Sequence, residues 1–237
     1  MSWVKTARTA LLCVMVAGAG GLTIAGRGGA VEAETDASTG LGMGGVISAA
    51  PILLGLNGEV YAYETRVVDP ATNGAPVTPA DAPLMLSATL EVSVDARAVL
   101  LRFVLENPDS NDPVSLRFLF YVDPDLSLPM DTSLDDLASV VGVAAPGGSY
   151  QVGDQLASTV LDGFDGGQLD GSVSSGEQDV AVAVSFDDTI DPGGRIGYVV
   201  ELREGGAAAT DDLQIVVSDA DLPLSITIAP RREPLAP

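Results

Sequence analysis

A strict alternation of apolar and polar residues, which recurs along the chain, constrains the fold most. Its clearest form, from Leu86 to Asp95, alternates five apolar residues with Ser, Thr, Glu, Ser and Asp. A period of two places successive side chains on opposite faces of an extended strand, whereas a helix would mix them. Each such segment therefore predicts a β-strand with one buried face and one wetter face.

Seven further segments predict strands by their alternation or apolar content, at 59–68, 99–105, 116–122, 180–186, 196–202, 213–217 and 222–228. Strands at this density, without helices alternating between them, favour two packed antiparallel sheets over a parallel α/β sheet. The sequence predicts an all-β fold, an antiparallel β-sandwich of about eight strands.

One stretch departs from the period of two. Leu134, Leu137, Ala138 and Val141 recur at helical spacing, with Ser133 and Asp136 as a capping pair. We expect one short helix there. The surrounding stretch, 126–178, is either a long decorated crossover or part of the second sheet, and the pattern leaves both open.

The beginning of the chain predicts export. Lys5 and Arg8 precede an apolar run from Ala10 to Ala25, followed by small residues, as in a signal peptide. Cleavage could follow Ala30 or Ala33, and we favour Ala33. An uncleaved membrane anchor is the alternative, although the run falls short of the ~20 apolar residues that a spanning helix needs. The expected location is secreted, periplasmic or cell-surface.

These features divide the chain into four parts. Residues 1–33 are the expected signal peptide, and 34–58 are a flexible lead-in with a candidate first strand. The β-sandwich domain is predicted over 59–229, followed by a C-terminal tail at 230–237.

The charge balance limits the partners. Removal of residues 1–33 leaves eight basic and thirty-two acidic residues, a net charge of −24. Such a field repels phosphate backbones and anionic lipids, so we expect no nucleic-acid partner and no membrane insertion of the mature chain. Cations, or another envelope or extracellular protein, are the expected partners. The oligomeric state is left open.

Several reactive side chains are missing from the sequence. It has no His, and Cys13, Lys5 and Trp3 are the sole residues of their types, all before the expected cleavage site. Ser-His-Asp and Cys-His centres, Schiff-base chemistry and the usual zinc sites are therefore excluded from the mature chain. We predict a protein that is not an enzyme, with a carboxylate-based hydrolase as the alternative.

Acidic loops offer the remaining chemistry. Five aspartates after one strand are candidate calcium ligands: Asp123, Asp125, Asp131, Asp135 and Asp136. No other cofactor is expected. Calcium takes six to eight oxygen ligands from flexible loops. A second, less favoured set is Asp162, Asp165 and Asp170 among glycines. Neither matches an EF-hand loop, and the alternative is ordinary solvated turns, where Asp is common.

Two segments carry a family resemblance. An apolar strand leads into Glu106, Asn107 and a polar turn, and the next strand ends at Phe120–Asp123; later, Val180–Phe186 precedes a turn at 190–194. These segments, about a third of the chain, resemble the bacterial CARDB-type immunoglobulin-like domains. The resemblance implies an immunoglobulin-like sandwich with adhesion, spacing or ligand-display roles, and it supplies no catalytic motif.

Overall fold

The computed structural model describes residues 31–40, 46–48, 60–71, 74, 85–93, 98–108, 111–126, 135–154, 159–233 and 235. Within them the chain forms twelve strands and one helix. The elements are β1 (Val31–Gly40), β2 (Val46–Ser48), β3 (Val60–Val68), β4 (Met85–Ser93), β5 (Ala98–Glu106), β6 (Val114–Asp125), β7 (Asp136–Val141), β8 (Gly148–Asp154), α1 (Thr159–Asp165), β9 (Val180–Ile190), β10 (Arg195–Glu204), β11 (Gln214–Asp219) and β12 (Ser225–Glu233).

The strands form two sheets. A seven-stranded sheet has the order β1-β4-β5-β10-β12-β11-β7, and a five-stranded sheet has the order β2-β3-β6-β9-β8. The strand pairs within them are antiparallel. The predicted all-β sandwich with one short helix is confirmed, with more strands than the eight expected.

The main core lies between the two sheets, where the alternation of the sequence places the apolar faces. Phe103 on β5, Phe118 on β6 and Tyr198 on β10 are among its largest buried side chains. The rings of Phe118 and Tyr198 stack with centroids 4.3 Å apart. Aromatic contacts of this kind add to the burial of apolar area that stabilises the sandwich.

A second core covers the other face of the five-stranded sheet. There α1 packs Val160 and Phe164 against Leu119, Tyr121 and neighbouring residues of the sheet. The expectation of a wetter face is therefore wrong for β9, whose Ala181, Ala183 and Ser185 are also buried.

The stretch 126–178 contributes to both sheets. It supplies β7 at one edge of the seven-stranded sheet, β8 at one edge of the five-stranded sheet, and α1. The predicted helix near 134–141 is wrong, because residues 136–141 form β7 and pair with β11. Pairing with a neighbouring strand overrides a helical spacing of only four apolar residues.

β1 and β12 each span one of the expected domain limits. β1 comprises Val31–Gly40, so the expected cleavage site after Ala33 lies within this strand. β12 continues to Glu233, so the expected tail from 230 begins within a strand. Among the described residues no helix is long and apolar enough to cross a membrane.

Candidate functional site

The five predicted calcium ligands are divided between the sheets. Asp123 lies on β6 of the five-stranded sheet, whereas Asp136 begins β7 in the seven-stranded sheet and Asp135 directly precedes it. The backbone of Asp125 ends β6, its side chain is outside the description, and Asp131 lies outside the described residues. In the part of the chain that is described, no three acidic, His or Cys side chains are arranged to hold a metal ion.

The second predicted acidic set has structural contacts. Asp162 and Asp165 belong to α1, and Arg66 of β3 donates to both the carbonyl and the carboxylate of Asp165 at 2.8 Å. Asp170 accepts a hydrogen bond from the Ser172 N–H at 2.9 Å. Arg66 thus binds the carbonyl end of α1, where a cation is favoured by the helix dipole.

An acidic corner, defined as Asp135, Asp136, Asp179 and Asp219, lies where β7 meets the start of β9. Asp136, Asp179 and Asp219 are all buried. Burial, together with the charges of Asp135, Asp219 and Asp179, raises the pKa of Asp136 to about 7. Only two of these four residues belong to the predicted calcium set.

The acidic corner also joins the two sheets. The Asp136 N–H donates to the Gln178 carbonyl at 3.1 Å, and the Gln178 N–H donates back at 3.0 Å. The N–H of Val180 on β9 donates to the Asp136 carboxyl group. Asp136 therefore links an edge of one sheet to the first residue of β9 in the other.

A second polar group ties the sheets together near the end of β9. The Tyr198 hydroxyl donates to Asp188 Oδ2 at 2.9 Å, and Arg232 Nε donates to both oxygens of Asp188 at 2.9 Å. Burial and the charge of Asp188 raise the pKa of Tyr198, so its hydroxyl remains a donor. The Arg232 guanidinium lies 5.0 Å above the Phe186 ring.

Asn107, which the resemblance singled out, binds two turns at once. Its fully buried side-chain amide donates to the carbonyls of Asp112 and Ile190, at 2.9 and 3.2 Å. Its backbone N–H donates to the Gly194 carbonyl at 3.0 Å. Asn107 therefore fastens the turn after β5 to the turn after β9.

The crossover from β7 to β8 covers a cavity of about 240 Å³. We call it the crossover cavity. It is lined by residues 143–145 of the crossover, the start of β8, residues 184–186 of β9, Leu213, and residues 230–232 of β12. Val184, Phe186 and Leu213 border it and are buried members of the main core.

Arg231 and Asp212 bring opposite charges to the crossover cavity. The Arg231 side chain is 44% exposed and makes one hydrogen bond, to Glu201 Oε2 at 3.4 Å. Asp212 is exposed, and one of its carboxylate oxygens accepts a bond from the Thr210 hydroxyl at 3.2 Å. Among the described ion pairs, none joins Arg231 to Asp212.

A smaller cavity of about 110 Å³ adjoins the first and shares Asp212, Leu213, Pro230 and Arg231 with it. Glu201 and Asp212 both line it, so it brings two carboxylates to one space. Glu201 lies between Arg203 and Arg231, which its oxygens approach at 3.9 and 3.4 Å. Glu201 therefore belongs to a group of ion pairs on β10 and β12.

Sequence reasoning missed Arg231, Arg232 and Asp212. They lie on segments whose approach depends on β12 pairing between β10 and β11, which no local pattern predicts. One signal was available, because Arg231 and Arg232 are the only adjacent basic pair in an acidic chain.

No family model matches this chain, and no curated protein matches it. The resemblance to CARDB-type domains therefore stays a prediction.

Proposed function

We propose that the protein is a non-catalytic, exported β-sandwich that acts as a ligand-binding module at or beyond the cell envelope. The proposal combines the leader-like start of the chain with a sandwich whose crossover cavity opens beside the main core. A concave space with a few charged groups at its rim is typical of binding sites.

The observation that carries the proposal is a contrast between the polar side chains that join elements of the fold and those that line the crossover cavity. Asn107, Asp188, Tyr198 and Arg232 each bind another element of the same chain. Arg231 and Asp212, by contrast, each make one side-chain hydrogen bond and line the cavity. This division favours a rigid framework that presents one small site.

Export is tested by expressing the full chain in a bacterial host and fractionating the cells. We expect the protein outside the cytoplasm, with a new amino terminus at Val31 or Glu34, read by mass spectrometry of the intact chain. An unprocessed chain that stays in the cytoplasm would overturn the exported role.

The absence of catalysis is tested with a panel of glycosides, esters and peptides. Glu201 and Asp212 are the carboxylates that share a cavity, so Glu201→Gln and Asp212→Asn are the decisive variants. We expect no turnover above that of buffer. Turnover that either substitution abolishes would instead support the carboxylate-based hydrolase.

Calcium stabilisation, the other alternative, receives no arrangement of ligands from the described residues. Its test is thermal unfolding with millimolar calcium and with a chelator. Binding to the folded state alone would raise the midpoint. An equal midpoint in both solutions removes this alternative.

A further inference from the structure

β7 is the last strand of the seven-stranded sheet and pairs with β11 on one side. On its other side, the backbone of Asp136 exchanges two hydrogen bonds with that of Gln178. Residues two apart in a strand direct their N–H and C=O groups to the same side. The backbone groups of Ala138 and Val140 therefore point to the same outer side as those of Asp136, away from β11.

These backbone groups have no strand beside them in the part of the chain that is described. Beyond the bridge at Asp136, the described backbone bonds and bridges include none from Ala138 or Val140 to the outer side. The side chains of both residues pack against the main core, which holds the strand in place. Each residue thus presents one fixed N–H donor and one fixed C=O acceptor along an open sheet edge.

The edge strand β8 of the other sheet is covered by the chain itself. The Val152 N–H of β8 donates to the Ser172 carbonyl at 3.0 Å, and the Ser174 N–H donates to the Val152 carbonyl at 2.9 Å. Proteins protect sheet edges by such cover, and also by Lys, Pro or bulges. β7 contains neither Lys nor Pro and pairs with β11 without a bulge. Its outer side therefore lacks these protections.

Two exposed apolar side chains flank the open backbone. Leu137 is 39% exposed and Val141 is 40% exposed, and both lie on the face of β7 that points away from the core. Ser139 lies between them on this face and pairs with Val216 of β11, which is half-buried. A strand added beside β7 would place alternate side chains next to this apolar strip, so apolar residues at alternate positions are favoured.

The charge around β7 determines the kind of partner. Between Arg117 and Arg195 the sequence has thirteen Asp, one Glu and no basic residue, and this stretch contains β7, β8 and α1. β11 lies in a second stretch without basic residues, 205–230. A second copy of the chain brings the same negative charge to the contact and is repelled, whereas a basic segment is attracted.

We propose that the β7 edge, defined as Leu137, Ala138, Val140 and Val141, binds an extended segment of another protein in which basic and apolar residues alternate. The segment adds a strand to the seven-stranded sheet, with its backbone bonded to Ala138 and Val140. Its apolar side chains contact Leu137 and Val141, and its basic side chains are attracted by the acidic surroundings. The β7 edge shares no residue with the crossover cavity, so this inference goes beyond the proposed function.

A blocked peptide of about eight alternating Lys and Val residues is the probe, and the same peptide with Glu in place of Lys is its control. Amide hydrogen exchange of the folded chain, followed by NMR, locates the contact. With a tenfold excess over Kd, we expect the Lys-Val peptide to slow exchange of the Ala138 and Val140 amides by about tenfold. The amides of Leu137 and Ser139, which face β11, should change less. The Glu-Val peptide should protect none of them.

Two variants and a matched control complete the experiment, with affinity measured by isothermal titration. Ala138→Pro removes an outward N–H without breaking a bond to β11, so we expect at least about fivefold weaker binding of the Lys-Val peptide. Val141→Ser removes an exposed apolar contact and should weaken binding by about threefold. Leu161→Ser changes a similarly exposed residue on α1 and should bind like the unaltered chain. Circular dichroism checks the fold, and Val141→Ser decides if Ala138→Pro does not fold.

Binding of the Lys-Val peptide that leaves the Ala138 and Val140 amides unprotected would overturn this inference, because it would show attraction by charge alone. Equal binding of the Lys-Val and Glu-Val peptides, or no binding of either, would also overturn it. A dimer of the chain, detected by light scattering and lost in Ala138→Pro, would assign the β7 edge to a second copy instead. None of these results bears on the proposed function, which the tests of export and turnover decide separately.

Discussion

The carboxyl group of Asp136 keeps a proton at pH values where an ordinary aspartate has lost it. Its pKa rises from 3.8 to about 7, first because it is buried and then because three carboxylates surround it. A raised pKa in the folded state means that folded Asp136 binds a proton that the unfolded chain releases. Its contribution to the free energy of unfolding is complete below about pH 4. This contribution falls as the pH rises through 7 and does not change further at higher pH.

Asp136→Asn should make the protein more stable at pH 8, because asparagine resembles the protonated acid and does not titrate. The shift corresponds to at most about 4 kcal/mol, and solvent relaxation around the site reduces the expected gain to about 2 kcal/mol. Urea unfolding at pH 5 and pH 8 measures it, and the gain should shrink towards pH 5.

The matched control is Asp221→Asn, which changes an exposed aspartate close to the acidic corner. We expect it to stay within about 0.5 kcal/mol of the unaltered chain at both pH values. A loss of stability in Asp136→Asn at pH 8 would contradict the raised pKa.

Tyr198→Phe removes a single hydroxyl from the tie between the sheets. Asp188 then keeps Arg232 and loses the 2.9 Å bond from Tyr198, so we expect a loss of about 1–2 kcal/mol by denaturant unfolding. Tyr150→Phe, which changes a half-buried tyrosine of β8, should cost less than about 0.5 kcal/mol. Equal effects of the two substitutions would argue against the cross-sheet bond.

Among the elements, α1 decides whether the five-stranded sheet is covered on its outer face. Phe164 is fully buried and lies 5.5 Å from the Tyr121 ring. Phe164→Ala should therefore cost about 3 kcal/mol. Leu161→Ala, in the same helix but 37% exposed, should cost less than about 1 kcal/mol. Similar losses in both variants would mean that Phe164 does not anchor the helix.

The turn after α1 gives a second test of how closely the helix end packs. Gly167 and Gly171 both have positive φ, at 69° and 75°, so alanine strains the backbone at either position. A Cβ on Gly167 would lie 2.9 Å from Gly74 Cα, whereas a Cβ on Gly171 meets open space. Gly167→Ala should thus lower the thermal midpoint more than Gly171→Ala, and a reversed order would contradict the packing.

The elements that follow a period of two could be predicted, and the elements that depend on a distant partner could not. β5, β6, β9 and β10 include the segments expected from alternation. The predicted helix was wrong at β7 because Leu137 and Val141, whose spacing of four residues suggested a buried helix face, are exposed on an edge strand. α1 has seven residues and one buried pair, too little for a periodic signal.

The candidate site was less predictable than the fold. The sequence indicated acidic loops, and two of the predicted aspartates do lie in the acidic corner. Their partners there, Asp179 and Asp219, come from other segments of the chain, as do Arg231 and Asp212 of the crossover cavity. Sites assembled from separate strands depend on sheet order, which alternation does not encode.

At the scale of the whole molecule, like charges oppose the compact state. Thirty-two acidic residues follow the expected leader against eight basic ones, so the ion pairs cannot balance the repulsion. Sodium chloride from about 0.05 to about 0.5 M should raise the thermal midpoint at pH 8, because it screens these charges.

The control for this salt effect is a measurement near pH 4, where many carboxylates are protonated. The rise in the midpoint should be smaller there. A midpoint that falls with salt at pH 8 would mean that the ion pairs outweigh the general repulsion.

The position of β12 sets an order for folding. It is the last described strand, yet it lies between β10 and β11, and β7 joins the seven-stranded sheet only through β11. Until residues 225–233 are in place, β11 and β7 have no sheet to join, and Asp188 lacks its partner Arg232. If the chain is exported amino terminus first, as we propose, the seven-stranded sheet could close only after residues 225–233 had emerged.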